Sequence, residues 1–389
     1  MFKKTLSVCA IASCFSGAAC AADISLYGFI DLGPSYTNVS VSGASDKAKE
    51  VGDKSSLTLR SNVNKGSRWG IRGKEELGNG LEAGFVLESG FTPDTGEMTF
   101  SNRLFGRQAT VFLKGNLGEI AFGRTGALSS GAGTYAITGW GSPFGTSWGT
   151  YSAANHNYMF GYIRLDNMVT YRTPEWNGLQ FSAQYSFGTD SKKDYDATLE
   201  GTQNDEGTSK VDRYAAIGTS YKAGPINLGL VVDTWMYGNV KASAYDDNAV
   251  SVTATGSYDW SFMRFFLGMQ YFRDASKDNI KVFNTFDAKS SVSAQQDGWA
   301  LTTGINVPVG GGDAKFAVGY FTSEPSKAGN AFDRETTRWG ASTAYEYFLS
   351  KNTSVYGVVS YVQDKLEINS IGTDKYKIVE ASLGLMHKF

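Results

Sequence analysis

The sequence predicts an all-β protein, a transmembrane β-barrel of about 16 antiparallel strands, and three observations support this fold class. The chain has 389 residues, with 24 Phe, 21 Tyr, 8 Trp, 46 Gly and only 7 Pro, a composition typical of strands joined by tight turns. Apolar and polar residues alternate over long segments, and short turns alternate with long polar connections. The mean hydropathy of −0.25 is moderate, as expected when each spanning strand turns only half of its side chains towards lipid.

The first 21 residues have the pattern of a signal peptide. Lysines at positions 3 and 4 precede a short apolar segment, and residues 19–21 form the small-x-small site that signal peptidase cleaves. All three cysteines lie in this segment, so we expect the mature barrel domain, residues 22–389, to contain no disulfide. The alternative is a lipoprotein signal with Cys14 as the lipidated residue, but its apolar segment would be shorter than the usual length of about 7–15 residues.

Strict alternation identifies individual strands. Residues 179–187, 250–258 and 299–307 each place apolar side chains on one face and small or polar side chains on the other. A strand of a soluble sandwich would also alternate, but its polar face would be rich in Lys and Glu. Here the polar faces carry Ser, Thr, Gln and Gly, which is typical of a wall with lipid outside and a watery lumen inside. No segment contains the roughly 20 apolar residues that a membrane helix needs.

Short and long connections alternate along the chain. The long connections are polar or charged and cover residues 38–56, 189–211, 275–296 and 323–335. This asymmetry is typical of outer-membrane barrels, whose short turns are periplasmic and whose long loops are extracellular. About 16 strands fit between the connections, from residues 24–36 to residues 376–389. Seven tight turns are predicted, at residues 78–80, 116–118, 177–178, 223–224, 259–261, 310–312 and 351–352.

The charge balance and the rare residues exclude several functions. Lys and Arg (36) nearly balance Asp and Glu (38), so the chain lacks the basic surface that nucleic acid requires. Only two histidines are present, His156 and His387, and no metal site or cofactor is indicated. The enzymatic alternative is an esterase site of Ser152, Asn155 and His156, but no carboxylate lies nearby in the sequence to orient the histidine. We therefore expect a protein that is not an enzyme.

Four segments resemble the general porins of Gram-negative bacteria, especially the betaproteobacterial type. The segments are SLYGFID at 25–31, SRWGIRGKEELGNGL at 67–81, LFGRQA at 104–109 and GLMHKF at 384–389. The resemblance implies a 16-stranded barrel that forms a homotrimer in the outer membrane, with its third loop folded inward. It also implies a water-filled channel for passive diffusion of small hydrophilic solutes and ions. The expected partners are outer-membrane lipid, lipopolysaccharide and the insertion machinery, which in this family reads the terminal aromatic residue, here Phe389.

The third long loop is expected over residues 124–157. It contains five aromatic residues, which a water-exposed loop would not need, so we expect it to pack against the barrel wall. No Asp or Glu occurs between Glu119 and Asp166. Residues 143–145 stand where the resemblance would place acidic residues, so this loop lacks the negative charge found opposite the arginines in enteric porins. The aromatic residues of the loop are Tyr135, Trp140, Phe144, Trp148 and Tyr151.

The resemblance also assigns a basic wall to the channel. Arg68, Arg107 and Arg164 match arginines that face the third loop in the family. For each arginine the alternative is a charge at the membrane interface or the rim. A basic cluster facing a loop without acids predicts a preference for anions. Two alternatives remain open, a substrate-specific channel for sugars or organic anions that uses the loop aromatics, and an adhesin role for the outer loops. Further candidates for the basic wall are Arg60, Arg72 and Arg172.

Overall fold

The computed structural model describes residues 23–100, 102–139, 141–152, 164–191, 206–239, 247–276, 295–327 and 334–389. These residues form one antiparallel sheet of 18 strand segments, together with a short helix, α1 (Asp46–Val51), and a 3-10 turn, η1 (Leu128–Ser130). Within the described ranges, no helix is long and apolar enough to cross a membrane. The strands are β1 (Asp23–Gly43), β2 (Lys54–Ser61), β3 (Arg68–Gly78), β4 (Leu81–Thr92), β5 (Glu97–Met98), β6 (Gln108–Gly115), β7 (Gly118–Thr125), β8 (Leu165–Arg172), β9 (Leu179–Ser186), β10 (Arg213–Ala223), β11 (Ile226–Met236), β12 (Ala249–Asp259), β13 (Arg264–Ala275), β14 (Gln296–Val309), β15 (Gly312–Pro325), β16 (Arg334–Phe348), β17 (Thr353–Ile368) and β18 (Gly372–Lys388).

The sheet closes into a barrel of 16 strands. β1 pairs with β18 along residues 29–43, so the first and last strands form the seam. β2 and β3 act as one wall strand because both pair with β1, β2 with residues 32–39 and β3 with residues 23–29. β5 is a two-residue extension that pairs with the end of β4. Counted this way, the described residues form the predicted 16-stranded antiparallel barrel.

Each strand divides its side chains between the lipid and the lumen. In β13, Leu267, Met269 and Tyr271 face outward and are exposed, whereas Phe266 and Gln270 face inward and are buried. The two-residue period follows from the pleat, which sends successive side chains to opposite faces of a sheet. The alternation in the sequence therefore sets which face of each strand meets lipid.

Aromatic side chains mark both ends of the lipid-facing wall. Near the long loops, Trp339 of β16 and Tyr361 of β17 have ring centroids 5.1 Å apart. Near the short turns, the rings of Tyr258 and Trp260 are 4.7 Å apart. Trp and Tyr prefer the interface between hydrocarbon and headgroups, so these two levels define the height of the membrane on the barrel. The level of Trp339 and Tyr361 is called the outer girdle below.

All seven predicted turns join consecutive strands at the predicted positions. Between β3 and β4, Asn79 and Gly80 have φ of 52° and 75°, the left-handed conformation that two-residue hairpins use. The first predicted strand, residues 24–36, ends too early, because β1 pairs with β18 as far as Gly43. The first long connection is therefore residues 44–53 rather than 38–56, and α1 lies within it.

Between β2 and β3 the wall strand breaks, and residues 62–67 fold into the barrel as an inward turn. Asp31 of β1 holds this turn, because one carboxylate oxygen accepts the N–H groups of Asn64 (2.6 Å) and Lys65 (2.7 Å). The other oxygen accepts the hydroxyl of Tyr356 at 2.5 Å. Asn62 has φ of 70° where the strand breaks. Contacts from β1 and β17 thus fix a turn that the local sequence alone does not specify.

Candidate channel constriction

The third loop leaves the wall after β7 and packs along the inside of the barrel. The N–H of Leu128 donates to Oε1 of Gln184 in β9 at 2.8 Å. Farther along, Ile137 lies against Gly218 of β10 and Gly229 of β11, where an added Cβ would come within 2.8 Å and 2.7 Å of Ile137 atoms. The loop fits this wall because these two glycines leave room for its backbone and side chain. The predicted inward fold of the third loop is confirmed.

The far end of the loop is fixed near the seam of the barrel. The carbonyl of Val63, in the inward turn, accepts the N–H of Trp148. The carboxylate of Glu380 in β18 accepts the N–H groups of Thr150 (3.3 Å) and Tyr151 (2.8 Å). A carboxylate that accepts backbone N–H groups makes strong, charge-assisted hydrogen bonds. The loop therefore crosses the barrel from β7 to β18 and is held at both ends.

The aromatic residues of the loop pack between the loop and the wall. Tyr135, Phe144 and Trp148 are only 5%, 2% and 3% exposed. The ring of Trp148 contacts those of Phe144 and Tyr356, with centroids 5.8 Å and 5.4 Å away. Burial of these rings stabilises the docked loop, and they present little surface to the lumen. Trp140, another of the predicted aromatic residues, lies outside the described residues.

A cavity of about 740 Å³ lies between the loop and the opposite wall. The loop contributes residues 130–133 and 142–148, and the inward turn contributes residues 64–66. The charged lining is unequal, because six basic side chains but only two acidic ones are found among the described lining residues. The basic residues are Lys65, Arg68, Arg107, Arg164, Arg264 and Lys315, and the acidic residues are Asp313 and Glu346.

Arg68 and Arg107 share one carboxylate, that of Glu88 in β4. Nε of Arg107 lies 2.7 Å and Nη1 of Arg68 lies 3.6 Å from Oε1 of Glu88. Tyr27 donates its hydroxyl to the other carboxylate oxygen at 3.0 Å, and the guanidinium carbon of Arg68 lies 5.3 Å from the ring centroid of Phe29. One carboxylate thus positions two guanidinium groups but can neutralise only one charge. Sequence reasoning missed Glu88, because the strand pairing that joins it to both arginines is not local.

Arg164 reaches this pair from the end of the third loop. Its Nε donates to the carbonyl of Arg107 at 2.6 Å, and its guanidinium carbon lies 5.8 Å from the ring centroid of Phe100. Burial and the charge of Arg107 lower the pKa of Arg164 to about 9, so the group stays protonated at neutral pH. A carbonyl and a ring hold Arg164 in place without cancelling its charge. The structure brings together Arg68, Arg107 and Arg164, which are called the arginine wall below.

Two lysines that were not predicted face the same cavity. Asp31 fixes the backbone of Lys65, whose side chain is exposed to the lumen and whose ammonium has no ion pair or hydrogen bond within the described part of the chain. Nζ of Lys315 lies 5.4 Å from the ring centroid of Trp148 and 3.7 Å from Oδ2 of Asp313. The alternation of β15 contains enough information to place Lys315 inward. The sequence around Lys65 does not show where its side chain points, because the break between β2 and β3 interrupts the two-residue period.

The three further candidates lie outside this cavity. Arg60 donates to Glu380, beside the anchor of the third loop. Nη2 of Arg172 lies 2.8 Å from Oε2 of Glu119, a carboxylate that also binds a loop tyrosine. Arg72 lies nearer the short turns, where its Nε donates to a serine hydroxyl of β1 at 3.1 Å. The structure therefore does not bring these arginines together with the arginine wall, and two of them instead contact carboxylates that hold the loop.

Phe389 lies at the seam, at the short-turn end of the barrel. Its N–H donates to the carbonyl of Gly28 at 3.1 Å, and its carbonyl accepts the N–H of Gly28 at 3.0 Å. The ring lies against Gly28, where an added Cβ would be 2.3 Å from a ring carbon. The terminal aromatic residue thus takes part in closing the barrel, and its role as an assembly signal stays a prediction.

Of the three residues of the esterase alternative, Ser152 alone lies within the described residues. Oγ of Ser152 donates to the carbonyl of Ser147 at 3.1 Å, whereas Asn155 and His156 lie outside the described residues. In the described ranges, no three His, Cys, Asp or Glu side chains are grouped as a metal site would require.

Comparisons with known proteins agree with the barrel fold. A family model described as Gram-negative porin matches residues 5–366. The chain is 32% identical to an outer membrane porin protein of Bordetella pertussis over 100% of both chains, and 27% identical to outer membrane porin protein 32 of Delftia acidovorans over 93% of this chain and 90% of the relative. The solved anion-selective porin from Comamonas acidovorans has a TM-score of 0.66 and 22% identity, covering 95% of this chain and 100% of its own. The chain therefore belongs to the Gram-negative porins, which are outer-membrane channels and not enzymes.

Proposed function

We propose that the protein is a water-filled channel for passive diffusion of small hydrophilic solutes and ions, with a preference for anions. The observation that carries this proposal is the convergence of Arg68, Arg107 and Arg164 on one cavity. The loop that faces them contributes no counter-charge, since no Asp or Glu occurs between Glu119 and Asp166. The positive potential of these side chains therefore attracts an anion into the constriction and repels a cation.

The carboxylates near the cavity are already engaged by protein groups. Oε1 of Glu346 accepts the amide of Asn64 at 2.9 Å and the hydroxyl of Ser354 at 2.8 Å. Asp313 faces Lys315, and Glu88 lies between two arginines of the arginine wall. The basic side chains outnumber these acids. In a narrow lumen the excess charge acts within the screening length of about 8–10 Å at physiological salt, so it is felt by every passing ion.

The relatives support the same interpretation. The Comamonas acidovorans porin, whose fold this chain shares, is described as anion-selective.

A homotrimer is also proposed, because the chain is a porin and because Val111 and Leu113 of β6 expose apolar side chains on the outer wall. Removal of residues 1–21 before insertion remains a prediction. Light scattering of the folded protein in several detergents would test the trimer, and a monomer in all of them would refute it.

The substrate-specific alternative required loop aromatics that form a sliding surface for sugars. Tyr135, Phe144 and Trp148 are buried between the loop and the wall, so their faces are not available to stack on a passing ring. The rings of Phe29 and Phe100, which line the cavity, each have an arginine over one face. Charge rather than stacking therefore dominates the lining, which favours the general anion channel.

The test is single-channel recording in a planar lipid bilayer with a KCl gradient. The expected result is stepwise conductance with a reversal potential towards the chloride equilibrium potential. Arg68→Ser, Arg107→Ser and Arg164→Ser should each lower the chloride-to-potassium permeability ratio, by about two-fold or more. Arg72→Ser is the matched control, because Arg72 lies on the same strand as Arg68 but outside the cavity. A cation-selective parent channel would overturn the proposal.

A further inference from the structure

The second long connection, residues 93–107, joins β4 to β6 and reaches the cavity. Its short strand β5 pairs with the end of β4, and the N–H of Thr99 donates to the carbonyl of Gly90 at 2.9 Å. Thr99 and Phe100 then line the cavity together with Arg107 and Arg164. The second long connection therefore supplies part of the lining next to the arginine wall.

Phe100 is held in place by the residues that follow it. A Cβ added to Gly106 would lie 2.5 Å from Cβ of Phe100 and 2.8 Å from two of its ring carbons. Only glycine at position 106 leaves room for the ring to lie against the backbone. The carbonyl of Phe100 accepts the N–H of Arg103 at 3.1 Å. Nη2 of Arg103 in turn lies 2.9 Å from Oδ2 of Asp166 and 2.5 Å from Oδ1 of Asp190, which anchors the connection to the wall.

Two guanidinium groups lie over the ring of Phe100. The guanidinium carbon of Arg124 is 5.6 Å from the ring centroid, and that of Arg164 is 5.8 Å from it. Both distances are within the range of about 6 Å over which the negative face of an aromatic ring attracts a cation. Two positive charges this close to one ring repel each other, and their attraction to the ring offsets part of that repulsion. One uncharged side chain therefore holds two cations.

The two cations over the ring differ in their counter-charges. Nη1 of Arg124 lies 2.5 Å from Oδ1 of Asp166, and its Nε donates to the carbonyl of Gly106 at 2.8 Å. Arg164 makes no ion pair within the part of the chain that the structure describes. Arg164 lines the cavity, whereas Arg124 is not among the described lining residues. The ring of Phe100 thus lies next to a neutralised arginine and an arginine whose full charge faces the lumen.

Arg164 depends on this ring more than the other two arginines of the arginine wall do. The carboxylate of Glu88 positions Arg68 and Arg107. Arg164 precedes β8 at the end of the third loop, and one hydrogen bond, from its Nε to the carbonyl of Arg107, is its other contact with a polar group in the described ranges. Without the ring, its guanidinium would be free to leave the lining. Its effect on a passing ion would then fall, because the interaction of two charges weakens with distance.

We propose that Phe100 is a positioning residue for ion preference, whose ring holds the guanidinium of Arg164 at the cavity. The second long connection is thereby part of the constriction, in addition to the third loop. This inference rests on the proposed preference for anions and adds an uncharged residue to the groups that determine it. A ring suits this position because it attracts a guanidinium without adding the negative charge that a carboxylate would bring.

The test compares two substitutions of Phe100 in planar bilayer recordings with a KCl gradient. Phe100→Leu removes the ring but keeps an apolar side chain, and Phe100→Tyr keeps the ring. The matched control is Phe105→Leu, because Phe105 belongs to the same connection but its ring lies 6.0 Å from that of Trp69 and does not line the cavity. Heat-modifiable migration in gels confirms that all three variants are folded.

Phe100→Leu should lower the chloride-to-potassium permeability ratio by about two-fold, whereas Phe100→Tyr and Phe105→Leu should keep the ratio of the parent. In a channel that already carries Arg164→Ser, Phe100→Leu should cause no further change, because the ring acts through Arg164. An unchanged ratio in Phe100→Leu would overturn the proposal. So would an equal fall with and without Arg164, because a general structural role of Phe100 would lower the ratio in both backgrounds.

A crystal structure of Phe100→Leu separates this proposal from the anion preference itself. The guanidinium of Arg164 should leave its position beside the carbonyl of Arg107. If Arg164 stays in place, the positioning role is wrong, whatever the ion preference of the channel. A cation-selective parent channel in which Arg164 moves in Phe100→Leu would instead refute the proposed function and support the positioning role.

Discussion

Two regions of the barrel interior carry arginines with opposite consequences. On the arginine wall, the guanidinium groups of Arg68 and Arg107 contact the single carboxylate of Glu88, and that of Arg164 donates to the carbonyl of Arg107. On the wall formed by β16 and β17, Arg338 donates from Nε and Nη2 to both oxygens of Asp364, and the two side chains are 0% and 1% exposed. The first region has more guanidinium groups than carboxylates, whereas in the second the two charges of the Arg338–Asp364 pair cancel. The partners and exposure of an arginine decide its function, so the number of lumen-facing arginines alone does not predict selectivity.

The Arg338–Asp364 pair is predicted to contribute more to the stability of the barrel than the arginine wall does. Asp364→Ala leaves Arg338 buried without its counter-charge, and such losses cost about 3–5 kcal/mol of unfolding free energy. Arg338→Leu combined with Asp364→Leu should recover most of that loss, because neither charge then remains buried. Denaturant unfolding followed by tryptophan fluorescence measures both. If Asp364→Ala is as stable as the parent, the buried ion pair does not contribute to stability as proposed.

The carboxylate of Glu380, which holds the far end of the third loop, is predicted to limit fluctuations of the channel current. Glu380→Ala removes the acceptor for Arg60 and for the N–H groups of Thr150 and Tyr151. Hydrogen bonds to charged groups contribute about 1.5–3 kcal/mol each, so detached loop conformations should become at least about ten-fold more populated. Single-channel traces should then flicker, whereas Glu335→Ala, on the outer face of β16, should leave them quiet. A quiet trace from Glu380→Ala would show that other contacts hold the loop.

Removing the carboxylate of Glu88 is predicted to change the chloride-to-potassium permeability ratio in the opposite direction to removing an arginine. Glu88→Gln keeps the side-chain shape but removes the negative charge next to Arg68 and Arg107. The permeability ratio for chloride over potassium should rise, by about two-fold, because the local field becomes more positive. The reversal potential in a KCl gradient measures this. A fall in the ratio would mean that Glu88 matters by positioning the arginines rather than by its charge.

The smallest expected effect is at Lys65. Its ammonium faces the lumen from the inward turn, so Lys65→Gln should lower the permeability ratio by somewhat less than about two-fold. Lys65→Arg should restore the ratio, since the charge returns. Lys74→Gln is the control, because Nζ of Lys74 is already paired with Glu82 at 3.1 Å near the short turns. Equal effects of the two Gln variants would show that Lys65 has no specific effect on ion preference in the constriction.

The sequence predicted the barrel well because alternation and turn chemistry are local. Asn79 and Gly80 specify a hairpin by themselves, as do Asn177 and Gly178 between β8 and β9. The end of β1 was missed for a physical reason. Beyond the outer girdle its outward residues, such as Ser40 and Ser42, no longer face hydrocarbon, and the apolar side chains of Val39 and Val41 lie on the inner face. The phase of the alternation is therefore reversed although the pairing with β18 continues.

The constriction was only partly predictable for a different reason. The resemblance gave Arg68, Arg107 and Arg164, and the structure brings them together. The contacts that shape the site connect residues far apart in the chain, such as Tyr356 and Asp31, which are separated by 325 positions. Neither the inward turn nor the position of Lys65 can be inferred from a local pattern, because both depend on that distant pair.

The most direct test of the central claim compares the two regions in one experiment. The reversal potential in a KCl gradient is measured for the parent, for the variant with Arg68→Ser, Arg107→Ser and Arg164→Ser combined, and for Arg338→Leu with Asp364→Leu. An anion-selective parent, a large loss of selectivity in the arginine-wall variant and no change in the charge-neutral pair variant are the predicted results. If the arginine-wall variant keeps the selectivity of the parent, the unmatched charge of that wall does not set the ion preference, and the account is contradicted.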